Sequence, residues 1–413
     1  MRLRQYLALT PLLVLTIVSG CAGRQAQAAT TPRPATATPP ASTTPDRQKE
    51  YDKVVKAARA YPGLFAIHQD TATGKVHMAI QPDQLDRDYI YFTFVADGPV
   101  ATGLFRGQFR DNIIFRIERR FDKLAFIAQN TAFHFDPGSP LARAAAANTS
   151  PAILAIEKIV GVDSVSGALL ISADKLFLTE SLTRVKAPSV PGQSPTAFAL
   201  GSRSEDKSSI RSVRNYPENT EVVADYVFDN PNVIGSGGAE VTDSRYVTVT
   251  VQHTLIAVPD NDFQPRFDDP RVGYFTQQVT DLTTTDAVNY RDIINRWDLR
   301  KKDPSAAISE PVNPIVFWIE NTTPTEYRET IRDAALAWNK AFEKAGFRNA
   351  VQVEIQPDTA SWDAGDIRYN VLRWTSSPNP PFGGYGPSFV NPRTGQILGA
   401  DIMLEYIFIT NRI

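Results

Sequence analysis

The sequence has few of the residues from which metal centres and covalent cross-links are built. It contains one cysteine, Cys21, so neither an intramolecular disulfide nor a thiolate cluster can form. It contains four histidines, His68, His77, His134 and His253, and no H-E-x-x-H motif. Neither basic nor acidic residues are in large excess over the other. The net charge is −2 and no basic stripe is present, so we expect no nucleic-acid partner.

The N-terminus carries an apolar run that is too short to span a membrane. The first residues, "MRLRQYLALTPLLVLTIVSGC", have a basic start, an apolar run over 6–18 and small residues just before Cys21. This order predicts a secretory signal peptide at residues 1–20.

The residues around the predicted cleavage point resemble the bacterial lipobox. The four residues 18–21 read Val-Ser-Gly-Cys, and in a lipobox the peptide is cut before the cysteine and the thiol is lipidated. The alternative is an ordinary signal peptide with a chance cysteine. The resemblance implies a lipid anchor at Cys21 and a place in the cell envelope. Ala22, rather than an aspartate, follows the cysteine, which favours the outer membrane by resemblance to enterobacterial sorting.

Residues 21–50 have almost nothing to bury. Alanine, threonine and proline dominate "AGRQAQAATTPRPATATPPASTTPDRQKE", and such a composition predicts a disordered, semi-extended tether. A short helix is expected over 46–63, ended by Pro62 and Gly63.

Residues 51–300 predict a domain rich in antiparallel strands. Alternating runs such as "KVHMAIQ", "DYIYFTFVA", "NIIFRIERR" and "YVTVTVQHTLIAV" are separated by Gly, Pro and Asp turns. A less regular part over 138–215 includes "LARAAAANTSPAILAIEKIVGVD", which we expect to be helical in places.

From residue 301 to 413 the pattern changes to strand, helix and strands, so the fold class expected for the whole chain is α+β. Strands are predicted at Ile315–Glu320, Val351–Ile355 and Ile367–Trp374. The helix between the first two should start with a capping box from Thr323 to Glu326 and should end at Gly346. The last strand, over 397–408, alternates apolar residues with Asp401 and Glu405.

Several long stretches resemble bacterial zinc-dependent metalloproteases of metzincin type. They are "DDPRVGYF", "FWIENTTPTEYR", "AWNKAFEKAGFRNA" and "GPSFVNPRTGQILGADIMLEY", and the resemblance covers about residues 50–413. It implies that 51–300 is a domain of unknown function and that 301–413 is the N-terminal half of the catalytic domain. It also implies an edge strand of the substrate cleft, to which a peptide or protein substrate adds through backbone hydrogen bonds. The residues expected to form that edge are Gly399, Ala400, Asp401, Ile402 and Met403.

The resemblance also implies zinc in the complete family protein, held by an H-E-x-x-H helix whose glutamate acts as general base. Because this sequence has no such motif, we expect no zinc in this chain and assign it no catalytic or metal-binding residue. The simplest interpretation is a chain truncated before its active-site helix, inactive as given. A rival interpretation is a non-catalytic envelope lipoprotein that binds a peptide or glycan.

Two smaller groups of polar residues leave alternatives open. Asp366 and Asp401 are interpreted as a solvated face or as turn partners rather than as a catalytic pair. His68 and His77 flank the turn "TATG". One register opposes the two histidines, which would allow weak metal chelation, whereas a bulged loop would oppose His68 to Met78. Two ordinary histidines are the simpler alternative.

Overall fold

A computed structural model describes residues 45–144, 147–186, 198–378 and 383–407. The predicted signal peptide, Cys21 and the predicted tether as far as residue 44 lie outside the described residues, and so does the predicted end of the last strand beyond residue 407. In the described part, no helix is long and apolar enough to cross a membrane.

The chain before residue 300 consists mainly of strands, accompanied by two short helices. The helices are α1 (Pro45–Ala57) and α2 (Asp174–Leu178). The strands are β1 (Ala58–Tyr61), β2 (Ala66–Asp70), β3 (Val76–Ile80), β4 (Asp88–Asp97), β5 (Phe109–Arg120), β6 (Lys123–Ala128), β7 (Phe133–His134), β8 (Ala152–Val162), β9 (Leu169–Ser172), β10 (Ser202–Arg203), β11 (Ser209–Asn215), β12 (Asn219–Asp229), β13 (Tyr246–Ala257), β14 (Thr276–Gln277), β15 (Thr280–Asp281) and β16 (Ile293–Ile294).

The chain after residue 300 combines strands with two helices. Its elements are β17 (Ile315–Ile319), α3 (Thr325–Leu336), α4 (Asn339–Lys344), β18 (Val351–Ile355), β19 (Asn370–Thr375), β20 (Gly384–Tyr385), β21 (Ser388–Val390) and β22 (Ile397–Glu405). Strands account for 39% of the structure and helices for 14%, which places it between α+β and mainly β.

The largest sheet has twelve strands and curls around an apolar core. Its order is β1-β2-β3-β9-β8-β6-β5-β4-β13-β12-β10, and β11 also pairs with β12. The two ends approach each other, because the amide of Leu64 donates to the carbonyl of Tyr216 at 2.8 Å. The enclosed core includes Tyr91, Phe126 and Phe177, all fully or almost fully buried. Truncating one such aromatic side chain costs about 3–5 kcal/mol.

Two local expectations before residue 300 are met only in part. The segment expected to be helical in places contains a short 3-10 helix at Pro140–Ala144 and then strand β8. Isoleucines and valines that are stiff at χ1 favour the strand, and β6 and β9 offer partners on both sides. The helix expected over 46–63 starts at Pro45, inside the predicted tether, and ends at Ala57. The next four residues pair with β2 as strand β1 instead.

The second sheet has six strands and mixed direction. Its order is β18-β17-β19-β22-β20, with β21 also paired to β22. The first four strands are parallel, and β20 and β21 run antiparallel to β22. Helices α3 and α4 supply the crossover that two parallel neighbours, β17 and β18, require.

The single capped helix expected between these strands is broken and lacks its capping box. Helix α3 begins without a side-chain cap, and Arg328 instead donates to the carbonyls of Thr323 and Asn321 at 2.9 and 2.8 Å. The helix breaks at residues 337–338 before α4 continues. Gly346 does end the helical segment, as predicted, with a left-handed φ of 90°.

The two sheets share a buried apolar contact. Ile90, Phe92 and Ile114 from the large sheet pack with Ile367 and Phe389 from the chain after residue 300. The rings of Phe92 and Phe389 are 4.4 Å apart between centroids. Because these five side chains are buried, the contact fixes the second sheet on β4 and β5.

Candidate functional site

The strand expected at the cleft edge lies inside the sheet. Strand β22 pairs with β19 on one side, through Val371 and Asp401, and with β20 and β21 on the other. The expectation that Gly399, Ala400, Asp401, Ile402 and Met403 form the edge is therefore wrong. The Gly/Pro-rich segment before β22 folds back against it and takes the outer position. Within the described residues, β20 and β21 form that border of the sheet.

The border strands are held against the large sheet. The hydroxyl of Tyr385 accepts a hydrogen bond from the amide of Phe109 at 3.2 Å, and Asn112 Nδ2 donates to the carbonyl of Val390 at 2.8 Å. Both partners belong to β5. The border strand is thus positioned by the β-rich part of the chain as well as by its own sheet.

The polar face of β22 is buried rather than solvated. Asp401 is 4% exposed and Glu405 is 1% exposed. Burial raises the pKa of Asp401 to about 7, although Arg373 and a hydrogen bond from the amide of Val371 lower it. Glu405 Oε1 accepts from the amide of Ser377 at 2.9 Å and so orders the chain after β19.

Asp366 lies in a turn, where its partner is Arg368. It is fully buried, and its carboxylate accepts from the amide and the guanidinium of Arg368 at distances from 2.7 to 3.1 Å. The turn-partner interpretation of Asp366 is confirmed, whereas the solvated face expected for these two aspartates is wrong.

The apolar face of the same sheet is open. A groove of about 660 Å³ lies between the sheet and helices α3 and α4, lined by Phe317, Ile331, Trp338, Ile402 and Leu404, among others. Trp338 is 66% exposed although it occupies the apolar stripe of the helical segment. Within the described part of the chain, nothing covers this face as closely as the large sheet covers the opposite one.

A second, polar cleft of about 600 Å³ opens where β19 and β22 end. The chain after β19, including Ser376 and Ser377, forms one wall. Asp97, Arg106 and Arg211 of the β-rich part are among the residues of the other wall. The carboxyl ends of parallel strands are where sheets of this kind bind ligands.

A charged cluster joins the two parts of the chain beside this sheet. The guanidinium of Arg214 contacts Glu221 and, at 3.0 Å, Asp363. Tyr216 donates to the other oxygen of Asp363 at 2.9 Å, and Gln252 Nε2 donates to Glu221 at 2.7 Å. Sequence reasoning missed this cluster, because Arg214 and Asp363 are far apart in the chain and neither lies in a recognisable motif.

Burial and the shared guanidinium of Arg214 shift the pKa values of the two carboxylates in opposite directions. Burial raises the pKa of Glu221 to about 7, and Asp363 adds to that rise while Arg214 opposes it. For Asp363, burial raises the pKa, but Arg214 and the amide of Gly365 outweigh burial, so its pKa is lowered. One guanidinium thus serves two carboxylates, of which Asp363 is the more acidic.

The four histidines have different surroundings. His253 is fully buried, and burial lowers its pKa to about 3. The hydroxyl of Tyr226 lies 2.6 Å from the carbonyl of Phe177 and donates to it, so His253 Nε2 carries the proton and donates to Tyr226 at 3.0 Å. His253 Nδ1 then accepts from Tyr91 at 2.8 Å. This network gives each buried polar atom of His253 a hydrogen-bond partner.

The register that opposes His68 to His77 is confirmed. The amide of Asp70 donates to the carbonyl of Lys75 at 2.8 Å, which closes the turn without a bulge, and Gly74 takes its left-handed position. Among the described residues, no three histidine, cysteine, aspartate or glutamate side chains are grouped to hold a metal ion.

Comparison with known proteins assigns a domain but no activity. Residues 107–302 match the family model described as a domain of unknown function, DUF5117. No match was found among curated proteins or among solved structures. The matched residues include most of the large sheet from β5 onward.

Proposed function

We propose that this chain is the N-terminal portion of a cell-envelope zinc-dependent metalloprotease, of the metzincin-like family that its sequence resembles. In such a protein zinc polarises the peptide carbonyl and lowers the pKa of the attacking water. The described residues do not fit the three-ligand catalytic zinc site of such a protein, because they group no three metal ligands, so we assign them no catalytic step. Their part would be to position the substrate and to support the active site.

The observation that carries this proposal is the open apolar groove. A sheet of this kind normally buries both faces between other layers. Here the large sheet covers one face, whereas Ile402, Leu404 and Trp338 border a groove on the other. A further helix of the complete protein, laid over β19 and β22, would bury these side chains.

The substrate would bind at the border of the same sheet. An extended peptide adds to such a border through main-chain hydrogen bonds, with side chains entering alternate pockets. Strands β20 and β21 take this role in place of Gly399–Met403, because they occupy the outer position. The polar cleft lies near this border, because Glu405 lines the cleft and the neighbouring Leu404 pairs with Gly384 of β20.

Location in the cell envelope belongs to the same proposal. Lipidation at Cys21 would anchor the protein, and the Ala/Thr/Pro-rich tether would separate the membrane from the folded part. We favour the outer membrane because Ala22 follows the cysteine.

The coding sequence downstream of Ile413 tests the proposal. We expect an in-frame H-E-x-x-H motif, followed by a third histidine, on a segment long enough to cover the groove. A stop codon directly after Ile413 would overturn the proposal.

The second candidate is a non-catalytic envelope lipoprotein that binds a peptide or glycan. The polar cleft favours it, because it offers charged and hydroxyl side chains to a ligand. Under this candidate the purified chain binds its ligand alone, and Arg106→Ala weakens binding. Arg271→Ala serves as control, because Arg271 is exposed, pairs with Asp269 and does not line the cleft.

A further inference from the structure

Two of the four histidines oppose each other on the hairpin of β2 and β3. His68 pairs with His77, whereas the adjacent pair Ile67 and Met78 points into the apolar core. Because side chains alternate along a strand, both imidazoles project from the face opposite that core. Directly opposed residues have Cβ atoms about 5 Å apart. At this separation two imidazoles can reach one shared ion.

Small residues flank the pair on both sides. β1 places Ala60 beside His68, and β9 places Ser172 beside His77. The row therefore reads Ala, His, His, Ser across four strands, and both outer side chains are small. Helix α1 contacts β1 and β2, and His68 is only 7% exposed.

Both Nδ1 atoms of the pair are buried without a hydrogen-bond partner among the described residues. Buried polar atoms normally have a partner, and an exception points to a bound water or ion. Burial lowers the pKa of His68, and His77 lowers it further. Burial also lowers the pKa of His77, opposed by Asp174 and Asp70 and assisted by Lys75. Neutral imidazole, the form that coordinates metals, therefore predominates at neutral pH.

We propose that His68 and His77 form a two-imidazole site for a late first-row divalent cation, namely Cu²⁺, Ni²⁺ or Zn²⁺. Imidazole nitrogen suits these ions, and Cu²⁺ binds most strongly in this series. No third protein ligand joins the pair within the described residues, so water completes the coordination and a chelator removes the ion. The site is separate from the zinc of the proposed metalloprotease and does not rest on that proposal.

The test uses the tag-free chain from which the signal peptide has been removed, with ¹³C-labelled histidine. At pH 7.5, Cu²⁺ added below one equivalent should broaden the imidazole signals of His68 and His77 first. The signals of His253, sealed in the core, should stay sharp. Calorimetry should give one ion per chain. Broadening that starts at His134, or that spares both hairpin histidines, would overturn the proposal.

Substitutions provide an independent measurement. His68→Gln and His77→Gln should each raise the dissociation constant for Cu²⁺ by at least about tenfold, as loss of a metal-site group does. His134→Gln is the matched control and should leave the constant unchanged. If the variant that carries both His68→Gln and His77→Gln still binds one Cu²⁺ ion with unchanged affinity, the proposal is overturned. Circular dichroism checks folding, and the wild-type spectra decide the matter if a variant fails to fold.

Discussion

The buried carboxylate of Glu221 makes a quantitative prediction about stability and pH. Glu221 is fully buried, and its pKa is raised from the ordinary 4.5 to about 7. A difference of this size corresponds to about 3 kcal/mol between the protonated and ionised forms. Burial causes the rise, and Asp363, which competes for the guanidinium of Arg214, adds to it.

The sign follows from proton linkage. Since the folded state holds this proton more tightly, it binds more protons than the unfolded state between about pH 4.5 and 7. The contribution of Glu221 to the free energy of unfolding is therefore complete below about pH 4.5. It is lost as the pH rises through 7. Asp401, whose pKa is also raised to about 7, acts in the same direction.

Glu221→Gln removes this titration and keeps the side chain's shape. As the pH rises from 5 to 8, the free energy of unfolding of the wild type should fall relative to that of the variant. We expect this relative change to reach up to about 3 kcal/mol. Urea unfolding followed by tryptophan fluorescence measures it. Asp243→Asn is the control, because Asp243 is exposed and pairs with Arg245 at the surface. A difference for Glu221→Gln that stays constant from pH 5 to 8 would refute the reasoning.

Three further predictions concern other parts of the chain. In a bacterial host, Cys21→Ala should move the protein from the membrane fraction to the soluble fraction, and equal partition of both forms would exclude lipidation. Trp338→Ala should lower the free energy of unfolding by less than about 1 kcal/mol, because the side chain is 66% exposed. Phe126→Ala, in the core, should lower it by about 3–5 kcal/mol. A large cost for Trp338→Ala would mean that the groove is covered. Gly365→Ala should destabilise the fold by about 1–3 kcal/mol, because a Cβ there would lie 2.1 Å from Glu221 Oε2. An unchanged midpoint of urea unfolding would contradict this close packing.

The strands of the large sheet could be predicted from sequence because alternation is a local signal. The run around Val251 alternates apolar and polar residues, the run around Ile114 does so in part, and the run around Tyr91 is apolar apart from Thr93; they are strands β13, β5 and β4. Strand β8 was missed because the alanine run before it favours helix, and its strand partners come from elsewhere in the chain.

The candidate site was less predictable because it depends on contacts between distant segments. The border strand was missed because glycine and proline dominate 383–387 and only Phe389 and Val390 are apolar. The burial of Asp401 and Glu405 could not be inferred, since an alternating strand does not reveal which face meets another sheet. The choice between two registers for His68 depended on the hydrogen bond between Asp70 and Lys75, which sequence leaves open.

The proposed role of this chain, to supply the sheet and the binding border of a larger zinc peptidase, can be tested on the native protein. Antibodies raised against the purified chain can capture the native protein from membranes of its own cells. We expect a polypeptide heavier than the 45.6 kDa of this sequence, with a catalytic zinc and with peptidase activity that a chelator abolishes. A native polypeptide no heavier than this sequence, without zinc or peptidase activity, would contradict it.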